Sequence, residues 1–267
     1  MANEHLLAER RDGVLSLTLN QPDKLNALSD QMIAGLLDEL GRAAHDAEVR
    51  CVVVSGAGRG FCSGGDVSRM RERNEGDGPG LTVEQRMASL RRAEEVSLML
   101  HELPKPTIAA INGAAAGAGL SVALACDLRI AADSARLVTA FARVGFSGDF
   151  GGTWLMTRLV GPARAKEFYF LADPIDANQA LALGLVNRVV PAASLMVEAA
   201  VLANRLASGP AIAYGYMKAN INAALTADLR TLLDREAVGQ TLTGRTEDHR
   251  EAVKAFLEKR QPTFKGR

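Results

Sequence analysis

Short apolar runs alternate with amphipathic stretches up to about residue 190, and helical periodicity fills the rest of the chain. Leu6 to Leu19 holds two strand-like runs around Arg11-Asp12-Gly13, where Asp-Gly favours a tight turn, so a hairpin is predicted. Ser29 is placed to cap a helix whose Met32, Ile33, Leu36, Leu37 and Leu40 recur on one face. Cys51-Val52-Val53-Val54 and Thr107-Ile108-Ala109-Ala110-Ile111 read as buried strands. Thr82-Val83-Glu84-Gln85 matches a capping box and opens a long helix to about His101, which Pro104 and Pro106 stop.

Further on, Leu128 to Ala131 and Arg136 to Val138 read as short strands. A loop from Phe141 to Gly152 leads into a helix from about Thr153 to Val160, which Gly161-Pro162 separates from Ala163 to Leu171. Asp176 caps a helix to about Leu183, Gly184 ends it, and Leu185 to Val190 is strand-like. From Ala192 to Lys259 the pattern is helical throughout, broken near Gly209-Pro210 and Gly244. Arg69 to Gly80 is charged and glycine-rich, and reads as the least ordered segment. Strands alternating with helices, then helices alone, predict an α/β core followed by a helical C-terminal part.

At 267 residues and 48% hydrophobic, the chain can bury a substantial core. Lys+Arg and Asp+Glu both number 31, which argues against a nucleic-acid partner. Apolar runs fall short of a membrane span, and Met1 to Arg10 is too polar for a signal peptide, so a cytoplasmic location is expected. Cys51, Cys62 and Cys126 are odd in number and widely spaced, and read as reduced thiols. Gly56-Ala57-Gly58 lacks the third glycine of a dinucleotide fingerprint, because Phe61 stands there. Ser63 lies in no GxSxG elbow, and no ligand spacing suggests a metal.

Two glycine-rich stretches carry the candidate chemistry: Phe61-Cys62-Ser63-Gly64-Gly65-Asp66 and Asn112-Gly113-Ala114-Ala115-Ala116-Gly117-Ala118-Gly119. Each follows a predicted strand, and the second opens an apolar helical stretch from Leu120 to Ala125. Small residues there leave backbone N–H groups uncovered, and two such segments could aim two donors at one oxyanion. The alternative is a pair of tight turns that need glycine's freedom and nothing more. Cys62, beside the first stretch, is either a small packed thiol or a nucleophile.

Taken together, Pro22-Asp23-Lys24-Leu25-Asn26-Ala27-Leu28, FCSGGD, Lys105 to Gly113, Cys126-Asp127-Leu128-Arg129-Ile130-Ala131 and Gly151-Gly152-Thr153 resemble the crotonase (enoyl-CoA hydratase/isomerase) family in order and spacing. The tail Phe256-Leu257-Glu258-Lys259-Arg260 with Phe264 resembles that family's C-terminus. The resemblance implies an α/β fold, a crotonase-like spiral of ββα turns over 1–195, with a helical trimerisation region over 196–267. It implies an acyl-CoA substrate, no separate cofactor because coenzyme A is part of that substrate, and a homotrimer or a hexamer built as a dimer of trimers. The implied oxyanion hole falls on the N–H groups of Gly65 and Ala118. Lys24, Ala27, Gly64, Asp66 and Val67 would line the coenzyme path, with Phe141 at the acyl group and Phe256 and Lys259 reaching a neighbour's site. Lys24 reads equally as a solvated surface lysine.

Hydratases of this family carry two glutamates, at positions that here hold Ser121 and Phe141. Neither side chain takes a proton at neutral pH. Isomerases and dehalogenases of the family instead place one aspartate just before the GGT helix, where this chain has Asp149. Read without the family, Asp149 is either the N-cap of that helix or a functional carboxylate. Phe141, Phe146, Phe150 and Trp154 crowd the same stretch, and desolvation among rings would raise its pKa toward that of a useful base. The expected reaction is double-bond isomerisation of an unsaturated acyl-CoA, with or without a ring. Hydration by an atypical site and non-catalytic acyl-CoA binding are the alternatives.

Overall fold

The computed structural model describes residues 3–66 and 81–267. Val67 and the stretch from Arg69 to Gly80 lie outside the described residues. The hairpin forms as expected, β1 (Leu6–Arg11) and β2 (Val14–Leu19) pairing antiparallel, with Asp12 at φ 50° and Gly13 at φ 80° in the turn. Helix α1 (Asp30–His45) starts at Ser29, whose side chain accepts from the Met32 N–H. Helix α2 (Val83–Glu102) carries the full Thr82–Gln85 capping box.

Each following turn of chain visits two sheets before its helix. Strands β3 (Cys51–Gly56), β5 (Thr107–Ile111) and β7 (Leu128–Ala132) enter a six-stranded sheet in the order β1-β2-β3-β5-β7-β10, where β10 is Arg188–Val190. Strands β4 (Gly60–Cys62), β6 (Ala114–Ala116), β8 (Arg136–Val138) and β9 (Ile175–Asp176) form a second sheet in that order. All pairings in the larger sheet except the first hairpin are parallel. Helix α3 (Ala118–Ala125) follows β6, and α4 (Gly152–Leu171) follows the loop after β8. The result is a spiral of strand, strand and helix.

Side chains alternate across the larger sheet with the period of a strand. Val52, Val54, Ala109 and Ile111 join a core that includes Leu36, Leu40, Val96 and Leu100 of the two long helices. Cys51, Val53, Ile108 and Ala110 face the other way, onto Ala199, Leu202 and Ala203 of helix α6 (Leu195–Ala207). That helix, which the expected boundary at 195/196 assigns to the C-terminal part, therefore closes the back of the sheet. Between β9 and β10 lies α5 (Ala177–Ala182), capped by Asp176 as expected.

Three expectations need correction. Leu185 and Val186 are not in a strand; they are buried core residues, and only Arg188–Val190 pairs with β7. The stretch beyond α6 is broken once more than expected: α7 (Ala211–Ala224) and α8 (Leu229–Thr243) are separated near Asp228, which caps α8 through Thr231, before α9 (Glu247–Leu257). Finally, both glycine-rich stretches contribute strands, β4 and β6, to the smaller sheet, because Gly113 brings its backbone onto Arg59. The C-terminal helices are tied down by Lys218, which donates to Asp127 Oδ2 at 2.9 Å and to the Leu100 and Lys105 carbonyls. Arg50 holds the tail by donating to the Phe264 and Lys265 carbonyls.

Candidate active site

Parallel pairing of β4 with β6 brings the two glycine-rich stretches side by side. Ala118 is the first residue of α3, after Gly117 at φ 51°, so its N–H lacks an intrahelical acceptor. Gly64 sits at φ 85°, and a Cβ there would lie 2.7 Å from the Ala116 oxygen and 3.2 Å from the Ala118 nitrogen. Only glycine permits that approach. The Gly64 carbonyl accepts from the Leu28 N–H at 2.8 Å, within a parallel bridge between Leu28 and Gly65. This pattern turns the Gly65 N–H away from Leu28, and the Gly64–Gly65 peptide lies against the start of α3. Gly119 packs equally tightly on Cys62. Burial pushes the Cys62 thiol up to about 12, as expected of a packed thiol rather than a nucleophile.

Lys24 and Asp66 pair at 3.0 Å beside these loops, with the lysine side chain 56% exposed. Ala27 is buried next to Asn26, a residue with no exposed surface that sequence reasoning did not single out. Asn26 adopts φ 56° and donates to the Ala57 and Gly60 carbonyls while accepting from the Gln21 N–H. Its amide is the pin that fixes the Lys24–Ala27 turn against the end of β3.

Asp149 does not cap α4. Gly151 occupies the cap position, with no side-chain hydrogen bond, because the backbone winds through left-handed geometry at Gly148 (φ 112°), Phe150 (φ 51°) and Gly151 (φ 71°). Among the described residues, Asp149 Oδ1 is buried with no hydrogen-bond partner. Desolvation first, and the neighbouring Glu94 carboxylate second, push its pKa up to about 6. Glu94, on α2, accepts from the Phe150 N–H at 3.2 Å and was not anticipated from the sequence.

Ser121 lies one turn into α3 and donates back to the Gly117 carbonyl at 3.2 Å. Its oxygen fills the space beside Gly152: a Cβ at Gly152 would meet Ser121 Oγ at 2.2 Å and the Tyr169 hydroxyl at 2.6 Å. Phe141 is buried over Gly117 and stacks on Tyr169. Desolvation and the Asp149 carboxylate push the Tyr169 phenol well above its usual range. So Ala118, Ser121, Phe141, Gly152 and Tyr169 form one contiguous wall around the Asp149 turn. Of the four rings expected there, Phe141 and Phe150 are buried, whereas Phe146 is 55% exposed and Trp154 37% exposed. Tyr169 takes the missing place. Behind Phe150, a cleft of about 700 Å³ opens between α2, α4 and α7, lined by Glu94, Ser97, His101 and Trp154.

Phe256 stands 83% exposed on α9, and Lys259 follows that helix at φ 53°. This segment is tied to the C-terminal tail, with Asp248 accepting from the Lys265 and Gly266 N–H groups. Among the described residues no cluster of His, Cys, Asp and Glu is arranged to hold a metal, and no helix is long and apolar enough to cross a membrane. Chemically, the uncapped N–H of Ala118 can serve an oxyanion, and the partly buried Asp149 carboxylate can serve as a proton acceptor.

The family model described as enoyl-CoA hydratase/isomerase matches residues 9–267. The chain is 42% identical over 266 residues to a 1,2-epoxyphenylacetyl-CoA isomerase of Escherichia coli, with 99% of both chains covered. It is 37% identical to a short-chain-enoyl-CoA hydratase of Clostridium acetobutylicum, covering 98% of this chain and 97% of that one. An enoyl-CoA hydratase structure from Bacillus anthracis superposes with a TM-score of 0.90 at 34% identity, covering 98% of this chain and all of that one. The chain belongs to the enoyl-CoA hydratase/isomerase family and has the crotonase fold.

Proposed function

We propose that this protein is an acyl-CoA isomerase that forms a thioester enolate and moves one proton with Asp149. The observation that carries the reading is the buried Oδ1 of Asp149, a carboxylate oxygen that caps no helix and, among the described residues, has no hydrogen-bond partner. In this scheme the thioester oxygen lies between the N–H groups of Gly65 and Ala118, each contributing about 3 kcal/mol to enolate stabilisation. Asp149 takes a proton from one carbon of the unsaturated acyl group, the electron pair moves onto the thioester oxygen, and the Asp149 carboxyl, whose proton exchanges with solvent, protonates another carbon. No water is consumed. Lys24, Ala27, Gly64 and Asp66 line the coenzyme path in this reading, and Phe141 forms an apolar wall.

A ring-bearing acyl group is the favoured substrate, on the strength of the likeness to the Escherichia coli isomerase. Hydratase names among relatives support hydration as the second reading. Ser121 and Phe141 speak against it, because neither can activate a water. Phe256 and Lys259 act across a subunit boundary in a homotrimer or hexamer. Incubation with a panel of enoyl-CoAs in heavy water tests the reading by mass spectrometry. Deuterium uptake with no gain of water is expected; a hydroxyacyl product would establish hydration instead, and no uptake with any thioester would leave a binding protein.

A further inference from the structure

Glu94 stands in the middle of α2 and reaches across to the peptide that joins Asp149 to Phe150, accepting that N–H at 3.2 Å. The peptide it holds belongs to a strained turn. Phe150 carries a side chain at φ 51°, between Gly148 and Gly151, which are also left-handed. Nothing in the turn caps α4 through a side chain, so the hydrogen bond from α2 is what anchors it from outside. Glu94 is itself half-buried, and its helix is fixed to the core by Val96, Ser97 and Leu100.

We infer that Glu94 is the positioning residue for Asp149: it pins the Phe150 N–H, and with it the turn that presents Asp149, and it sets its own negative charge beside that carboxylate. The inference rests on Asp149 being the base. A neighbouring negative charge favours the protonated aspartic acid, which makes Asp149 a stronger base and helps it keep the proton until return. The raised pKa of Asp149 agrees with this arrangement. Among the described residues, the other ionisable group against Asp149 is Tyr169 of α4, neutral at working pH. On α2, Arg91 pairs with Glu95 at 2.5 Å and also lines the cleft with Glu94, His101 and Glu102. Arg158 lies over the Trp154 ring, and Arg235 of α8 borders the cleft from the far side.

Two variants separate the anchor from the charge. Glu94→Gln keeps an acceptor oxygen for the Phe150 N–H and removes the charge. Its kcat/KM should lose activity on the acid side at a pH about one unit lower than wild type, with KM within about twofold. Glu94→Ala removes both and should lower kcat by about 10- to 100-fold with KM little changed. Carbon-13 NMR titration of aspartate-labelled protein reads the Asp149 carboxyl directly, even where turnover is too low to follow. An acid limb and an Asp149 titration unmoved in Glu94→Gln, or wild-type kcat in a folded Glu94→Ala, would overturn the proposal. Asp149→Asn is the control that keeps the two readings apart. If it retains turnover, Asp149 is not the base; if it is inactive while Glu94→Gln titrates as wild type, the Glu94 inference alone fails.

Discussion

Phe141 and Tyr169 stack nearly parallel, with ring centroids 5.8 Å apart and 13° between their planes. One ring comes from a short 3₁₀ turn and the other from α4, which the Thr139 hydroxyl ties together by donating to the Phe168 carbonyl at 2.7 Å. Phe141 covers Gly117, at the start of α3, while Tyr169 closes on Gly148 and Gly152. A single aromatic pair therefore borders both the start of α3 and the Asp149 turn. Burial of this kind raises the cost of an ionised Asp149.

That cost has a measurable sign. The Asp149 pKa stands at about 6 in the folded chain against 3.8 in an unfolded one, so the folded state binds more protons between those values. Stability contributed by this group is present below pH 3.8 and is lost as pH rises through 6. The shift is worth about 3 kcal/mol at full weight, and solvent screening of a partly exposed residue leaves about 1–2 kcal/mol. Asp149→Asn should therefore stabilise the protein by about that much at pH 7.5 and hardly at all at pH 4, as read from denaturant midpoints.

Activity should follow the same titration in the opposite sense. The base must be ionised to accept a proton, so kcat/KM should rise with pH, reach half its plateau near pH 6 and stay flat toward pH 8. A half-maximum near pH 4 would mean that the carboxylate is solvated in the working enzyme, contrary to its burial.

Gly152→Ala should be disproportionately damaging. The new methyl group would collide with Ser121 Oγ and the Tyr169 hydroxyl, both held by packing against the core. Overpacking of this kind costs about 1–3 kcal/mol, and any relief must come from moving α3 or α4. Thermal unfolding should show the loss, and Ser121→Gly in the same chain should recover part of it.

The elements were legible where their signals are local. Asp12-Gly13 marks its hairpin, Thr82 to Gln85 its capping box, and Asp176 its short helix, and each appears where expected. The pairing of β4 with β6 was not legible, because three-residue strands carry no periodicity of their own. At the site, Asp149 was legible as a candidate through the family resemblance, as the aspartate just before Gly151-Gly152-Thr153. Its surroundings could not. Glu94 lies 56 positions from the N–H it accepts, and Tyr169 looks like any aromatic on an amphipathic helix. Local crowding of rings pointed instead to Phe146 and Trp154, which the fold leaves largely at the surface.

Assembly is expected from the C-terminal helices. Val201, Ile221, Leu229, Val238, Phe256 and Leu257 are each more than half exposed in the single chain. So many large apolar side chains on neighbouring helices call for a covering partner. Light scattering at micromolar concentration should give a trimer or a multiple of it. A monomer would leave Phe256, 83% exposed in the single chain, and Lys259 without a neighbour's site to reach.

The sharpest division is between Asp149 and Ser121. Ser121 spends its proton on the Gly117 carbonyl at 3.2 Å, which suits it to shape the wall rather than to move protons. Ser121→Ala should therefore change kcat by less than about tenfold, at the low end of what a proton-transfer group contributes. Asp149→Asn preserves the volume of the side chain and the turn at Gly148 to Gly151, and leaves both backbone donors in place. Acyl-CoA binding should persist, while turnover should fall by about 10²- to 10⁴-fold because an amide cannot accept the proton. Calorimetry of acyl-CoA binding beside single-turnover kinetics separates the two effects. Intact turnover in Asp149→Asn together with its loss in Ser121→Ala would move the chemistry onto a water at Ser121, and with it the reaction from isomerisation to hydration.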